Sequence, residues 1–185
     1  MALAAEALAT DAAIDRTPQH ARLLDGREVV IRPAGTADLA GIIDFFERLS
    51  SASRYARFLS PEPRLRRQCI ERIVASGPDR FSVLAQPAGF TATARNVVAV
   101  GGWVWMPCDD RAEISVAVAD AWQDVRLGSY VVLVLMRAAV AAGHRRFVAE
   151  VLGTNARMLG LIRDVAAPAY SACEAGVVRL EFSVP

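Results

Sequence analysis

A mixed, mostly antiparallel sheet flanked by helices, an α/β domain, is the fold the sequence predicts, and three observations carry it. Three strand-like segments, Phe81–Ala85, Asn96–Met106 and Ala112–Val118, follow one another with no helical stretch between them, as in an antiparallel meander. The segment from Tyr130 to Ala142 is then long enough and apolar enough to be a buried helix, and leads to another strand, Phe147–Leu152. Finally, Val177-Val178-Arg179-Leu180-Glu181-Phe182 closes the chain as an alternating strand. A meander followed by a helical crossover gives one parallel pairing in an otherwise antiparallel sheet.

In chain order, residues 1–22 are rich in alanine without the punctuation of a folded unit, fit an amphipathic helix or a frayed tail, and are expected to be an N-terminal extension, with a single domain over 23–185. Asp25-Gly26 is a turn signal ahead of the strand Val29–Arg32, which Pro33 closes. Thr36-Ala37-Asp38-Leu39 reads as a helix start, with Leu39, Ile42, Ile43 and Phe46 on one face. A second helix follows the Ser50–Ser53 break, and Arg64–Ile73 continues it with Leu65, Cys69, Ile70 and Ile73 on one side. Gly101-Gly102 inside the central strand predicts a bend or a close backbone approach. Gly143 ends the long helix, and Asn155 opens a short one reaching Arg163. Tyr170 falls on an expected loop.

With 185 residues, the chain can bury roughly 70% of its unfolded surface, so a core needs neither disulfides nor a metal. The net charge of +1 argues against a nucleic-acid partner, which calls for a concentrated basic surface. No uncharged apolar run reaches the roughly 18 residues of a membrane span, and Glu6, Asp11 and Asp15 interrupt the apolar start, so no membrane or secretory role is expected. Cys69, Cys108 and Cys173 have no metal-ligand spacing, consistent with a reduced, cytoplasmic protein without a metal. All 21 basic residues are arginine, so the chain has no lysine amine of its own to be modified. The high apolar content, 54%, is compatible with a homodimer.

The chemically informative stretch is Ala112–Ser129, a strand, a tight turn and a helix start in succession. The first turn of a helix offers unpaired N–H donors and the positive end of its dipole, which suits a phosphate or pyrophosphate. The same pattern is also that of an ordinary strand-to-helix connection.

This stretch resembles the acyl-CoA loop of the GNAT superfamily of N-acyltransferases, whose hallmark is Q/R-x-x-G-x-G/A. The six positions here are Gln123, Asp124, Val125, Arg126, Leu127 and Gly128, with Arg in place of the middle glycine. Val30-Ile31-Arg32-Pro33 with Asp38, the run from Phe45 to Phe58, and Asn155 with Met158-Leu159 are similar to bacterial protein lysine acetyltransferase domains, and the likeness extends from about Val29 to Glu181. It implies acetyl-CoA as co-substrate and direct transfer of acetyl to an amine acceptor, a protein lysine above all. It also implies that the backbone of Val116, Ala117 and Val118 and the loop from Gln123 to Ser129, namely Gln123, Asp124, Val125, Arg126, Leu127, Gly128 and Ser129, bind the cofactor, with Asn155 near the pantetheine. Glu113 stands where related enzymes carry a general base. An alkylammonium of pKa about 10.4 must lose a proton before it attacks a thioester. The position of the family's tyrosine acid reads Ile162, and Ala166-Ala167-Pro168 replaces a Gly-Phe ending. These departures favour the alternative, a catalytically weak or inactive member acting as a binding or regulatory partner.

Other features read more simply. Trp103 and Trp105 share one strand face and predict core or interface packing. His20 and His144 are expected to be structural. The arginines at 54, 57, 64, 66, 67 and 72 suit an acidic substrate or the 3′-phosphate of CoA, although a solvated helical face is the simpler expectation.

Overall fold

The computed structural model describes residues 14–60, 67–75, 77–89, 96–166 and 170–184, with backbone alone for 67–69 and 170. Eight strands form one sheet: β1 Gln19–Arg22, β2 Glu28–Pro33, β3 Arg80–Pro87, β4 Ala99–Met106, β5 Arg111–Val118, β6 Arg146–Leu152, β7 Tyr170–Glu174 and β8 Val177–Ser183. Their order is β1-β2-β3-β4-β5-β6-β8-β7, and every neighbouring pair is antiparallel except β5 with β6. The helices are α1 Leu39–Arg48, α2 Ser51–Phe58, α3 Arg67–Val74, α4 Leu127–Ala141 and α5 Ala156–Val165. This is the mixed, mostly antiparallel sheet expected. None of the helices is long and apolar enough to cross a membrane, among the described residues.

Alternation along the strands sorts side chains to two faces. One face, with Ile31, Phe81, Trp103, Ala112, Ile114 and Phe147, packs on α4 through Val131, Leu135, Met136 and Ala139. The other carries Leu84, Val100 and Ala117 against α1 and α3 through Ile42, Phe45, Phe46, Ile70 and Val74. Gly101 explains how α4 lies so close: a Cβ there would stand 2.6 Å from Val131 Cγ1 and 2.9 Å from Leu135 Cδ1. The close approach expected at this glycine is therefore with a helix. Arg32 bonds both carboxylate oxygens of buried Asp38 at 2.8 and 2.7 Å, and Asp38 also accepts the Gly35 N–H, fixing the entry to α1.

Four expectations change. Gln19–Arg22, read as extension, pairs with β2, because an edge strand with one half-buried side needs no run of apolar residues. Tyr170, read as a loop residue, begins β7, which reaches β8 through Ala175-Gly176, both at positive φ in a two-residue hairpin turn. β4 begins at Ala99 rather than Asn96. The long helix begins at Leu127 rather than Tyr130, because the chain turns helical directly after Arg126. Of the stretch read as a helix from Arg64, residues 64–66 lie outside the described residues, as do the side chain of Cys69, residues 1–13 and the Ala167-Pro168 segment.

Trp105 stacks on His144 with ring centroids 4.1 Å apart and Trp103 meets the same ring edge-on, so both indoles pack as expected and His144 is part of that cluster.

Candidate functional site

The site begins where two strands part. β5 and β6 pair at Ala112 with Phe147 and at Glu113 with Val148, and at no later position. Beyond Glu113 they diverge, and β5 keeps strand partners only on its β4 side. The gap widens into a cleft of about 680 Å³ between α2, the Asp120–Ser129 segment, the start of α4, and α5. A strand edge without a partner presents free main-chain donors and acceptors, so an extended ligand can bind as an added strand.

After β5 the chain makes a helical turn at Asp120–Trp122 and then the loop leading to α4. Asp124 and Arg126 both adopt left-handed backbone, at φ +62° and +68°. Arginine thus takes the conformation a glycine would take at this position, at a cost of roughly 1–2 kcal/mol per residue. No side chain caps α4. The N–H groups of Leu127, Gly128 and Ser129 have no acceptor within the helix, because the first three donors of a helix precede its hydrogen-bond ladder; the Tyr130 N–H donates to Arg126 O at 3.2 Å. Gly128 has a steric reason as well, since a Cβ there would approach Leu161 Cδ1 of α5 to 2.7 Å.

Side chains hold this loop from three directions. Asp120 accepts from the Ser50 N–H at 3.0 Å and from the Ser50 and Ser53 hydroxyls at 2.7 Å each, tying the start of α2 to the end of β5. Desolvation by itself would raise the Asp120 carboxyl, and these hydrogen bonds outweigh it and hold it below its ordinary value. Gln123 donates to Ser53 Oγ and to Val118 O, both at 3.1 Å. From α5, Arg157 pairs with Asp124 at 2.8 Å and donates to Gln123 Oε1 at 3.0 Å, which offsets the negative charge that Asp124 brings to the loop. Arg27, from the turn before β2, lies 3.8 Å over the Trp122 ring and donates to Ala121 O. The Arg126 side chain is exposed, lines the cleft, and has no hydrogen bond or ion pair among the described residues.

Glu113 is exposed at the point of divergence, on the sheet face covered by α1–α3. Arg57 of α2 is its electrostatic partner; burial pushes the guanidinium below its ordinary value while Glu113 opposes this, and arginine keeps its charge throughout. Val116, Ala117, Val118, Gln123, Asp124, Arg126, Leu127, Gly128, Ser129 and Asn155 all line the same cleft as Glu113. Val125 does not: it packs on the α4-side core, and its carbonyl accepts from the Leu24 N–H at 3.3 Å. Asn155 caps α5, its side-chain oxygen accepting from the Met158 N–H at 3.1 Å. Ile162 is 1% exposed and belongs to the core, so α5 presents no acid there. Asp120, Arg157 and Tyr55 also line the cleft and were not singled out from the sequence, while Arg57, read there as one of a solvated set of arginines, lines it as well. The Ser50 cap was legible in the Ser50–Ser53 break, whereas the bonds to Asp120 and Arg157 join segments far apart in sequence.

No family model matches the sequence, and no curated protein is similar to it at a significant level. Solved structures are. The GNAT domain of S. lividans PAT is 28% identical over 90% of this chain and 97% of its own, with a TM-score of 0.77. A cAMP-binding acyltransferase from Mycobacterium smegmatis is 23% identical with a TM-score of 0.62; it matches all of this chain, which spans 51% of that protein. YncA from Salmonella typhimurium, a structure with acetyl-CoA, is 18% identical over 85% of this chain and 94% of its own, with a TM-score of 0.64. Parted parallel strands, an uncapped helix start facing the gap and these likenesses agree: the chain is a GNAT-fold domain, and its structural neighbours are GNAT-domain acetyltransferases.

Proposed function

We propose that the chain is an acetyl-CoA-dependent N-acetyltransferase that moves acetyl directly to an amine, with a protein lysine side chain as acceptor. The observation that carries this reading is the uncapped start of α4 opening, behind a left-handed loop, into the cleft between β5 and β6. The residues present suit the co-substrate. The N–H groups of Leu127, Gly128 and Ser129 would bind its diphosphate together with the dipole of a 15-residue helix. Arg126, in place of glycine, would add a charge-assisted bond to phosphate, its guanidinium being uncommitted. The edge of β5 from Val116 to Val118, which no strand pairs although Val118 O accepts from Gln123, would bond the amides of the pantetheine arm. The acceptor preference rests on the likeness to the S. lividans PAT domain.

Acetyl-CoA supplies an activated acyl group on a thiolate of moderate leaving ability. Glu113, exposed at the strand divergence, takes a proton from the acceptor ammonium, directly or through water. The amine nitrogen then bonds to the carbonyl carbon, the carbon–sulfur bond breaks, the sulfur leaves as thiolate, and the nitrogen gives up its extra proton to that thiolate or to water, leaving a neutral amide and free thiol. A thiol of pKa about 8.5 needs no obligatory acid, which is compatible with a buried Ile162. Calorimetry with acetyl-CoA, paired with thiol release from a lysine peptide, tests the reading. Binding together with release that Glu113→Gln abolishes is the expected result. Binding without release from any amine would leave a ligand-binding protein, and no binding at millimolar acetyl-CoA overturns the proposal.

A further inference from the structure

A second cavity, of about 250 Å³, adjoins the cleft on the α2–α3 side of the sheet and shares Arg57 and Ser115 with it. Strand register gives its floor. Arg80 of β3 stands opposite Val104 of β4, and Val104 stands opposite Glu113 of β5, so the three lie in one row across the sheet. At about 4.8 Å per strand, Arg80 and Glu113 are roughly 10 Å apart at the backbone, with Val104 between them. Val104 is 42% exposed, unusual for valine on a face that is otherwise packed.

Arginines surround the far end of this row. Arg57 comes from the last turn of α2, Arg72 from the last turn of α3, and Arg80 from the sheet. Arg80 is held loosely by Asp79, at 3.4 Å, and Arg57 faces Glu113. Arg72 is exposed and has no hydrogen bond or ion pair among the described residues. The Ser82 hydroxyl is committed, donating to Ile73 O and fixing the end of α3 over β3. Three cations against the carboxylates of Asp79 and Glu113 leave one positive charge, which suits a monoanion better than a phosphate dianion.

We propose that this cavity recognises a carboxylate carried by the amine acceptor. Resting on the acetyltransferase reading, the inference sets one end of the acceptor at Glu113 and the other at Arg72 and Arg80, with an aliphatic stem across Val104. A carboxylate in reach of an arginine fork forms paired, charge-assisted bonds. The carboxylate has two sources, an acidic residue beside a protein lysine or the acid of a small ω-amino acid, and both present the same chemistry.

Thiol release from acetyl-CoA is measured with three lysine peptides, flanked by Glu, Ala or Arg, and with 6-aminohexanoate. At least a tenfold higher kcat/KM for the Glu peptide over the Ala peptide, expressed in KM, supports the inference and assigns the carboxylate to a protein side chain. The same preference for 6-aminohexanoate alone supports it with a small-molecule acceptor. A Glu-over-Ala preference below tenfold, with 6-aminohexanoate also less than tenfold better than the Ala peptide, overturns it while leaving the acetyltransferase reading intact. Absence of release from every amine overturns that reading and this inference with it. Arg72→Glu reverses the charge at an exposed position and is expected to shift preference from the Glu to the Arg peptide; an unchanged ranking also overturns the inference.

Discussion

The two edges of β5 are built to opposite ends. Along β4 all eight residues from Arg111 to Val118 find a partner, and the face toward α4 buries Ala112 and Ile114 against a helix with no charged residue in its buried stripe. Along β6 only two residues pair, and the space so opened is lined by Glu113, Arg57, Asp120 and Arg126. One strand thus serves as scaffold on one edge and lines the candidate site on the other. The same eight residues carry both, so substitutions should separate stability from activity according to the side they touch.

The sharpest separation is expected at Glu113. Glu113→Gln should lower kcat by about 10²- to 10⁴-fold, the range for loss of a general base, while the thermal midpoint stays within a degree or two. Leu135→Ala, on the scaffold side, should do the reverse. It removes a fully buried side chain beneath Gly101 and should cost about 2–5 kcal/mol in denaturant unfolding without changing the KM for acetyl-CoA in the folded fraction. Equal losses of activity and stability in either variant would show that the two edges are not independent.

Acid should act on the open edge as well. The Asp120 carboxyl is held below its ordinary value of 3.8 in the folded chain, so its bonds to Ser50 and Ser53 contribute stability that is complete above that value and is lost as pH falls through the lowered one. Asp120→Asn should therefore be less stable than the parent at pH 7, with the difference shrinking below about pH 4. Urea midpoints measured across that range read it. The smallest effect is expected at Arg126. Arg126→Gly should raise stability by about 1 kcal/mol through release of left-handed strain, and weaken acetyl-CoA binding severalfold through loss of the cation, two changes of opposite sign in one variant.

The comparison also explains what was legible in the sequence. The buried side announces itself: the apolar strand-like segments between Phe81 and Val118 and the apolar run after Tyr130 are consequences of burial. Edge strands leave little trace, which is why Gln19–Arg22 and Tyr170–Glu174 read as extension and loop. In the site, the loop and Glu113 are contiguous in sequence and could be read together. The links that hold them are not: Asp120 to Ser50, and Arg157 to Gln123 and Asp124, bring together segments separated by 33 to 70 residues, and polar pairs of that kind have no period. The arginine-lined cavity was the hardest to see. Arg57 and Arg72 were read as part of a solvated face because they sit on two helices and come together with Arg80 only in the folded chain.

Arginine at a left-handed position changes how such loops can be found. A pattern written in glycines treats residue 126 as a mismatch, yet Arg126 stands in the left-handed region that glycine favours, so the position asks for a sign of φ and not for the absence of a side chain. Chains that have exchanged their glycines for residues able to bear that conformation will escape letter-based searches and still be found by tracing torsion angles between a strand and the helix that follows.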